Sequence, residues 1–288
     1  MPVTSAGHQD GAVPAFTAPD GTELAYHLRG EGEPLLVLPG DTMRACAYLG
    51  DLGGRSSRRR LIMLDPRGTG DSAVPADPAT YRVDRQVADV EAFREHLGLE
   101  HRADVLAHSA GGDLALLHAA RHPRRVRNLS LITARARPGC RIHRGASPRS
   151  RGPARGRTLV RDRVQGLRSH LGGRSHRRRL RRLALFFYGR WDGAARAHTA
   201  TDAEQSNYGA ADRHADTGAF DSAEALDALA GWDARVLVLP DGLDGGPLPR
   251  VAGLLPPAEP VVQPGAGHFP RLDGPRCFTG IVETFLQG

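Results

Sequence analysis

No lysine occurs in the 288 residues, so all 39 basic side chains are arginine. With 35 Gly and 21 Pro, that usage marks a GC-rich coding sequence and says little about chemistry. Cysteine is scarce. Cys46, Cys140 and Cys277 share no metal-ligand spacing and cannot all pair, as expected of a chain kept in a reducing cytoplasm. No apolar run approaches the roughly 18 residues a membrane span needs, so no membrane partner is expected. The opening MPVTSAGHQDGAVPAF has no basic n-region and no apolar h-region, and it predicts no signal peptide.

Acidic charge is nearly absent from one stretch. Residues 135–182 hold 17 Arg and a single acid, Asp162, and so carry +16; the whole chain is +7, which leaves −9 for the remainder. A chain with pI near 10.1 raises the question of nucleic acid. Here the basicity belongs to one segment with no aromatic side chain to stack a base, so no nucleic-acid partner is expected.

What remains is an ordinary globular composition, 40% hydrophobic and 25% charged, long enough for one large α/β domain or a core with an insertion. VPAFTAPDGTELAYHLR (13–29) reads as two strands around an Asp20-Gly21 turn. PLLVLPG (34–40) and RLIMLD (60–65) read as strands buried on both faces. VDRQVADVEAFREHLG reads as a helix with Val83, Val87, Val90 and Leu97 near one face and Gly98 at its end. A strand at ADVLA, a helix after it and a strand at VRNLSLIT (126–133) continue the rhythm, which returns at ARVLVLP (234–240) and PVVQPG (260–265). A last helix places Phe278, Ile281, Val282 and Phe285 on one face, with Asp273 as its cap and Pro275 in its first turn. Alternating strands and helices imply a mostly parallel sheet covered on both faces, an α/β fold with an inserted cap region. The expected organisation is core over 1–134, cap over 135–225 and core again over 226–288. Three readings of 135–182 stay open: an irregular basic lid, an arginine-rich arm, or a stretch translated out of frame.

The chemistry concentrates at ADVLAHSAGGDLALLHAARHP, 103–123. Small residues at Ala107, Ala110, Gly111 and Gly112 permit a sharp strand-to-helix reversal that presents Ser109, a G-x-S-x-G elbow with Ala107 in the first position. The elbow aims the Ala110 N–H at an oxyanion and predicts an acid and then a histidine after later strands. PGAGHFPRLDGP supplies His268, and DGLDGG offers Asp241 or Asp244, the latter favoured because its glycines let it turn. GTGDSA (68–73) fits a dinucleotide fingerprint but is followed by Pro75 and Pro78, so it reads as a structural loop; His108 reads as a packing residue.

These segments, with LLVLPGD and LDPRGTGDSAVPADPATYRVDRQVADVEAFREHLGL, resemble the α/β-hydrolase fold, and within it the proline iminopeptidase-like serine hydrolases of GC-rich bacteria. The resemblance covers roughly 13–133 and 186–288 and matches the family's acid to Asp244. It implies a Ser109–His268–Asp244 triad, with a second oxyanion N–H from Asp41 in a loop that has lost two glycines. It also implies Glu204 as a group holding a substrate amino terminus, no cofactor and no metal in the reaction. The substrate would be a small ester, amide or short peptide. A small-ester hydrolase and a catalytically dead scaffold are the alternatives. With no packed lid, the active site is expected to be open to water.

Overall fold

The computed structural model describes residues 13–41, 43–134, 184–241, 255 and 258–288. The Arg-rich stretch 135–182 and Asp244 therefore lie outside the described residues.

Eight strands form one sheet in the order β1-β2-β4-β3-β5-β6-β7-β8. Strands β1 (Ala15–Thr17) and β2 (Glu23–Arg29) make the antiparallel edge, turning at Asp20-Gly21, where Gly21 takes φ +85°. The strands β3 (Pro34–Leu38), β4 (Arg60–Leu64), β5 (Ala103–His108), β6 (Val126–Ile132), β7 (Arg235–Leu239) and β8 (Ala258–Pro260) run parallel to one another, with β2 antiparallel against β4. The continuous apolar runs are explained by alternation across a sheet buried on both faces. Leu36, Leu38, Ile62 and Leu64 enter one core with Val87 and Phe93 of helix α1 (Val83–His96) and Leu114 of α2 (Gly111–Arg121). Leu35, Val37, Leu61 and Met63 enter the other, with Phe278, Val282 and Phe285 of the last helix.

Four helices lie between β6 and β7 among the described residues: α3 (Gly193–Ala200), α4 (Asp202–Gln205), α5 (Tyr208–His214) and α6 (Ser222–Ala228). Asp192, Asn207 and Asp221 cap α3, α5 and α6 through their side chains. After β8 come α7 (Pro270–Asp273) and α8 (Pro275–Gln287).

Two local expectations are corrected. The expected strand 260–265 is confined to Ala258–Pro260, because Gln263 turns inward and gives its amide to the Pro270 carbonyl at 2.9 Å. Asp273 does not cap the last helix, whose N-cap is Gly274; its carboxylate instead accepts the backbone N–H groups of Gly267 and Arg190, at 2.7 and 3.0 Å. Pro275 does sit at the start of that helix.

Candidate active site

The site lies where the parallel strands end. Ser109 follows β5 directly and takes φ +55°, a left-handed conformation that costs a non-glycine residue about 1–3 kcal/mol and persists only where packing enforces it. That packing is backbone against backbone. A Cβ on Gly111 would fall 2.5 Å from the Leu38 carbonyl oxygen, and one on Gly40 would fall 2.2 Å from that of His108. Only hydrogen fits at either position, so α2 starts hard against the end of β3. Ser109 is itself 0% exposed.

His268 arrives from the loop after β8. Its Nε2 stands 3.0 Å from Ser109 Oγ, and the residue is 3% exposed. Three backbone contacts fix it. Its N–H donates to the Phe187 carbonyl at 2.7 Å, and its carbonyl accepts Thr133 Oγ1 at 3.0 Å and His108 Nε2 at 2.9 Å. The carbonyl can only accept, so His108 carries its proton on Nε2 and its Nδ1 accepts from the Tyr48 hydroxyl at 2.7 Å. The same hydroxyl accepts the Gly40 N–H at 3.1 Å. A continuous chain of hydrogen bonds thus joins the loop before Asp41 to the backbone of His268. His108 does more than pack. Burial, then the nearby Arg271 cation, push its pKa down to about 3, and the ring stays neutral.

Asp41 is buried with φ +55°, and its carboxylate is drawn toward Arg44 Nη1 at 3.5 Å. Arg44, 1% exposed, also reaches Asp202 at 3.6 Å and donates to Gln205, the His198 carbonyl and Thr201, each at 3.0 Å. The Arg44 cation offsets the charge of the buried Asp41 carboxylate. Glu204 is exposed on α4, and the acid of that helix that meets Arg44 is Asp202. Asp241, two residues past β7, is buried.

The expectation of a site open to water concerns residues 135–182, which lie outside the described residues; among the described ones the Ser109–His268 pair is enclosed by aromatic rings. The rings of Phe187 and Phe269 pack against the His268 imidazole, with centroids 5.8 and 5.1 Å away. Beside Asp41, a cavity of about 10 Å3 between Arg44, Phe187, Tyr188, Asp202 and Phe269 has room for roughly one water. The GTGDSA loop opens no helix. Gly68 and Gly70 take positive φ, and Gly68 N–H bonds back to the Ala73 carbonyl at 2.9 Å. Sequence reasoning missed Tyr48, Thr133 and Arg44, which act through long-range contacts that no local pattern announces.

A family model of the alpha/beta hydrolase fold matches residues 47–275. A proline iminopeptidase of Lactobacillus helveticus (strain DPC 4571) is 35% identical over 119 residues, 38% of this chain and 40% of that protein. A 2-hydroxymuconate semialdehyde hydrolase of Pseudomonas putida is 37% identical over 116 residues, 39% of this chain and 40% of that one. The matches span about two fifths of the length of these curated relatives. Among solved structures, an esterase of Rhodococcus sp. ECU1013 superposes with a TM-score of 0.75 at 24% identity, covering 96% of this chain and 98% of that one. Among the described residues, no helix is long and apolar enough to cross a membrane.

Proposed function

This chain belongs to the α/β-hydrolase fold family, and we propose that within it the protein is a serine hydrolase that transfers an acyl group from a small ester or amide to water. The observation that carries the reading is Ser109 Oγ at 3.0 Å from His268 Nε2, both buried, with Ser109 held at φ +55°. Ser109 Oγ attacks the carbonyl carbon and its proton passes to His268 Nε2. The Ala110 and Asp41 N–H groups hold the oxyanion, the Ala110 amide adding the positive end of α2. The leaving group departs with the His268 proton, and water repeats the cycle on the acyl-enzyme. Asp244 is the acid proposed for His268 Nδ1, where it orients the ring and stabilises its cation.

A proline iminopeptidase activity is the second reading, favoured by the 35% identity to the Lactobacillus enzyme. Glu204 would have to turn inward to hold an amino terminus, since it is exposed.

A fluorophosphonate should label Ser109, and Ser109→Ala should abolish labelling and lower kcat by about 10⁴- to 10⁶-fold. Asp244→Asn should damage turnover more than Asp241→Asn; the reverse order would exchange the two roles. Hydrolysis of p-nitrophenyl butyrate should exceed that of proline β-naphthylamide, and the opposite preference would select the iminopeptidase reading. Full labelling of the alanine variant would sink the serine assignment.

A further inference from the structure

We propose that His27, Cys46 and Asp65, completed by Asp71, form a binding site for a tetrahedral transition-metal ion of the Zn2+ class, separate from the serine site. Linear spacing gives no hint of it; the fold assembles it. His27 lies on β2 opposite Met63 of β4, and Asp65 follows β4 directly, donating its N–H to the Ala25 carbonyl at 3.0 Å. Cys46 opens a 3-10 turn, Cys46–Leu49, against the end of the same strand.

The donor atoms of His27, Cys46 and Asp65 all lie within 4.8 Å of one another. His27 Nε2 is 3.0 Å from Asp65 Oδ2 and 3.7 Å from Asp71 Oδ2, and the Cys46 thiol hydrogen-bonds to the Asp65 carboxylate. Zinc bonds of about 2.0–2.3 Å place tetrahedral donors roughly 3.3–3.7 Å apart, so His27, Cys46 and Asp65 need only draw in slightly, while Asp71, which lies outside that group of three, swings in from the solvent side. The set of one imidazole, one thiolate and two carboxylates suits Zn2+ or Co2+, whereas Mg2+ and Ca2+ take oxygen alone. Outer hydrogen bonds are in place: Asp65 Oδ1 accepts the Cys46 N–H at 2.7 Å and Oδ2 accepts the Asp71 N–H at 3.1 Å. A path exists too, since the Asp71 side chain is 56% exposed and that of His27 28%.

Binding converts the Cys46 thiol to a thiolate and releases its proton to solvent, while His27 binds as the neutral ring. The bound ion would tie β2, the end of β4, the 65–73 loop and the segment after Asp41 into one unit.

Co2+ titration of the purified full chain tests this directly. A near-ultraviolet thiolate-to-cobalt charge-transfer band and intense tetrahedral d–d bands are expected at one equivalent, both displaced by Zn2+. Cys46→Ser should remove the charge-transfer band, while Cys277→Ser should keep it. His27→Gln and Asp71→Asn, at partly exposed positions that folding tolerates, should each weaken Co2+ affinity at least tenfold. Saturating Zn2+ should raise the Tm of the parent by several degrees and that of His27→Gln by less. Absence of the band in the parent, or its survival at full strength in both His27→Gln and Asp71→Asn, would overturn the site.

Discussion

Tyr48 has no step in the proposed acyl transfer, yet its hydroxyl joins the loop before Asp41 to the backbone of His268. It accepts the Gly40 N–H at 3.1 Å and donates to His108 Nδ1 at 2.7 Å, and His108 in turn holds the His268 carbonyl at 2.9 Å. Removing the hydroxyl should leave the Ser109–His268 pair in reach but loosely aimed, and misplacement on this scale costs up to about 100-fold. Tyr48→Phe should therefore lower kcat by roughly 10- to 100-fold with KM little changed, whereas a merely structural role would move Tm and leave the kcat of the folded fraction intact. Steady-state kinetics paired with a melting curve separates the two. Ser109 and His268 were legible in the sequence because each sits in its own local signal, an elbow and a glycine-flanked turn. Tyr48 and Thr133 were not, since their value comes from partners 60 and 135 residues away. His108 was read as packing because adjacency to Ser109 hides where its ring goes.

At the scale of elements, period and punctuation carried most of the reading. The apolar runs at 34–38, 60–64, 103–108 and 235–239 are strands, and α1 ends at His96 with Leu97 as its C-cap, just before Gly98, whose φ is +63°. The misreadings at 260–265 and at Asp273 share a cause: tertiary hydrogen bonds claimed residues whose local pattern suggested a strand and a cap. Asp273 braces the turn that carries His268 through Gly267 N–H, so a residue read as helix grammar serves the site. The junction of β3, β5 and α2 is where element packing sets chemistry. A methyl on Gly111 would lie 2.5 Å from the Leu38 carbonyl and 2.6 Å from that of Pro39, and backbone cannot yield as a side chain would. Gly111→Ala should destabilise the fold by about 1–3 kcal/mol and push α2 away from β3. The Ala110 N–H would move with it, so fluorophosphonate labelling should slow in protein that still melts cooperatively. Unchanged labelling and an unchanged Tm would show that the contact is slack.

Over the whole molecule, buried charge ties segments that are distant in the chain. Asp104, 0% exposed, accepts from Arg59, Arg127 and Asn128, and Arg55 reaches Glu283 of the last helix at 2.8 Å. Breaking a buried pair of this kind costs about 3–5 kcal/mol, because the surviving charge is stranded. None of these pairings could be read from the sequence, where charge shows only as a sum, and the +16 stretch at 135–182 lies outside the described residues. The buried neutral His108 makes the molecule answer to pH as one body. Its pKa falls from an ordinary 6.5 in the unfolded chain to about 3 in the fold, burial leading and Arg271 adding to it. Between those values the unfolded state binds a proton that the folded state refuses, so stability is intact above about pH 6.5 and declines as pH falls toward 3. The slope from this one group is about 1.4 kcal/mol per pH unit. Glu91, lowered to about 2 chiefly by its hydrogen bond to His118, adds its own loss only once pH drops below the carboxylate range, near 4. Urea denaturation at several values between about pH 6 and pH 5 keeps most carboxylates ionised, and the difference in slope between the parent and a His108 variant separates His108 from His198, whose pKa burial also lowers. His108→Gln keeps an amide N–H for the His268 carbonyl but cannot titrate. It should be less stable than the parent at neutral pH, yet its stability should fall less steeply with acid, by about 1.4 kcal/mol per pH unit. Parallel slopes for the two proteins would mean that His108 takes a proton in the fold and that burial beside Arg271 does not hold it neutral.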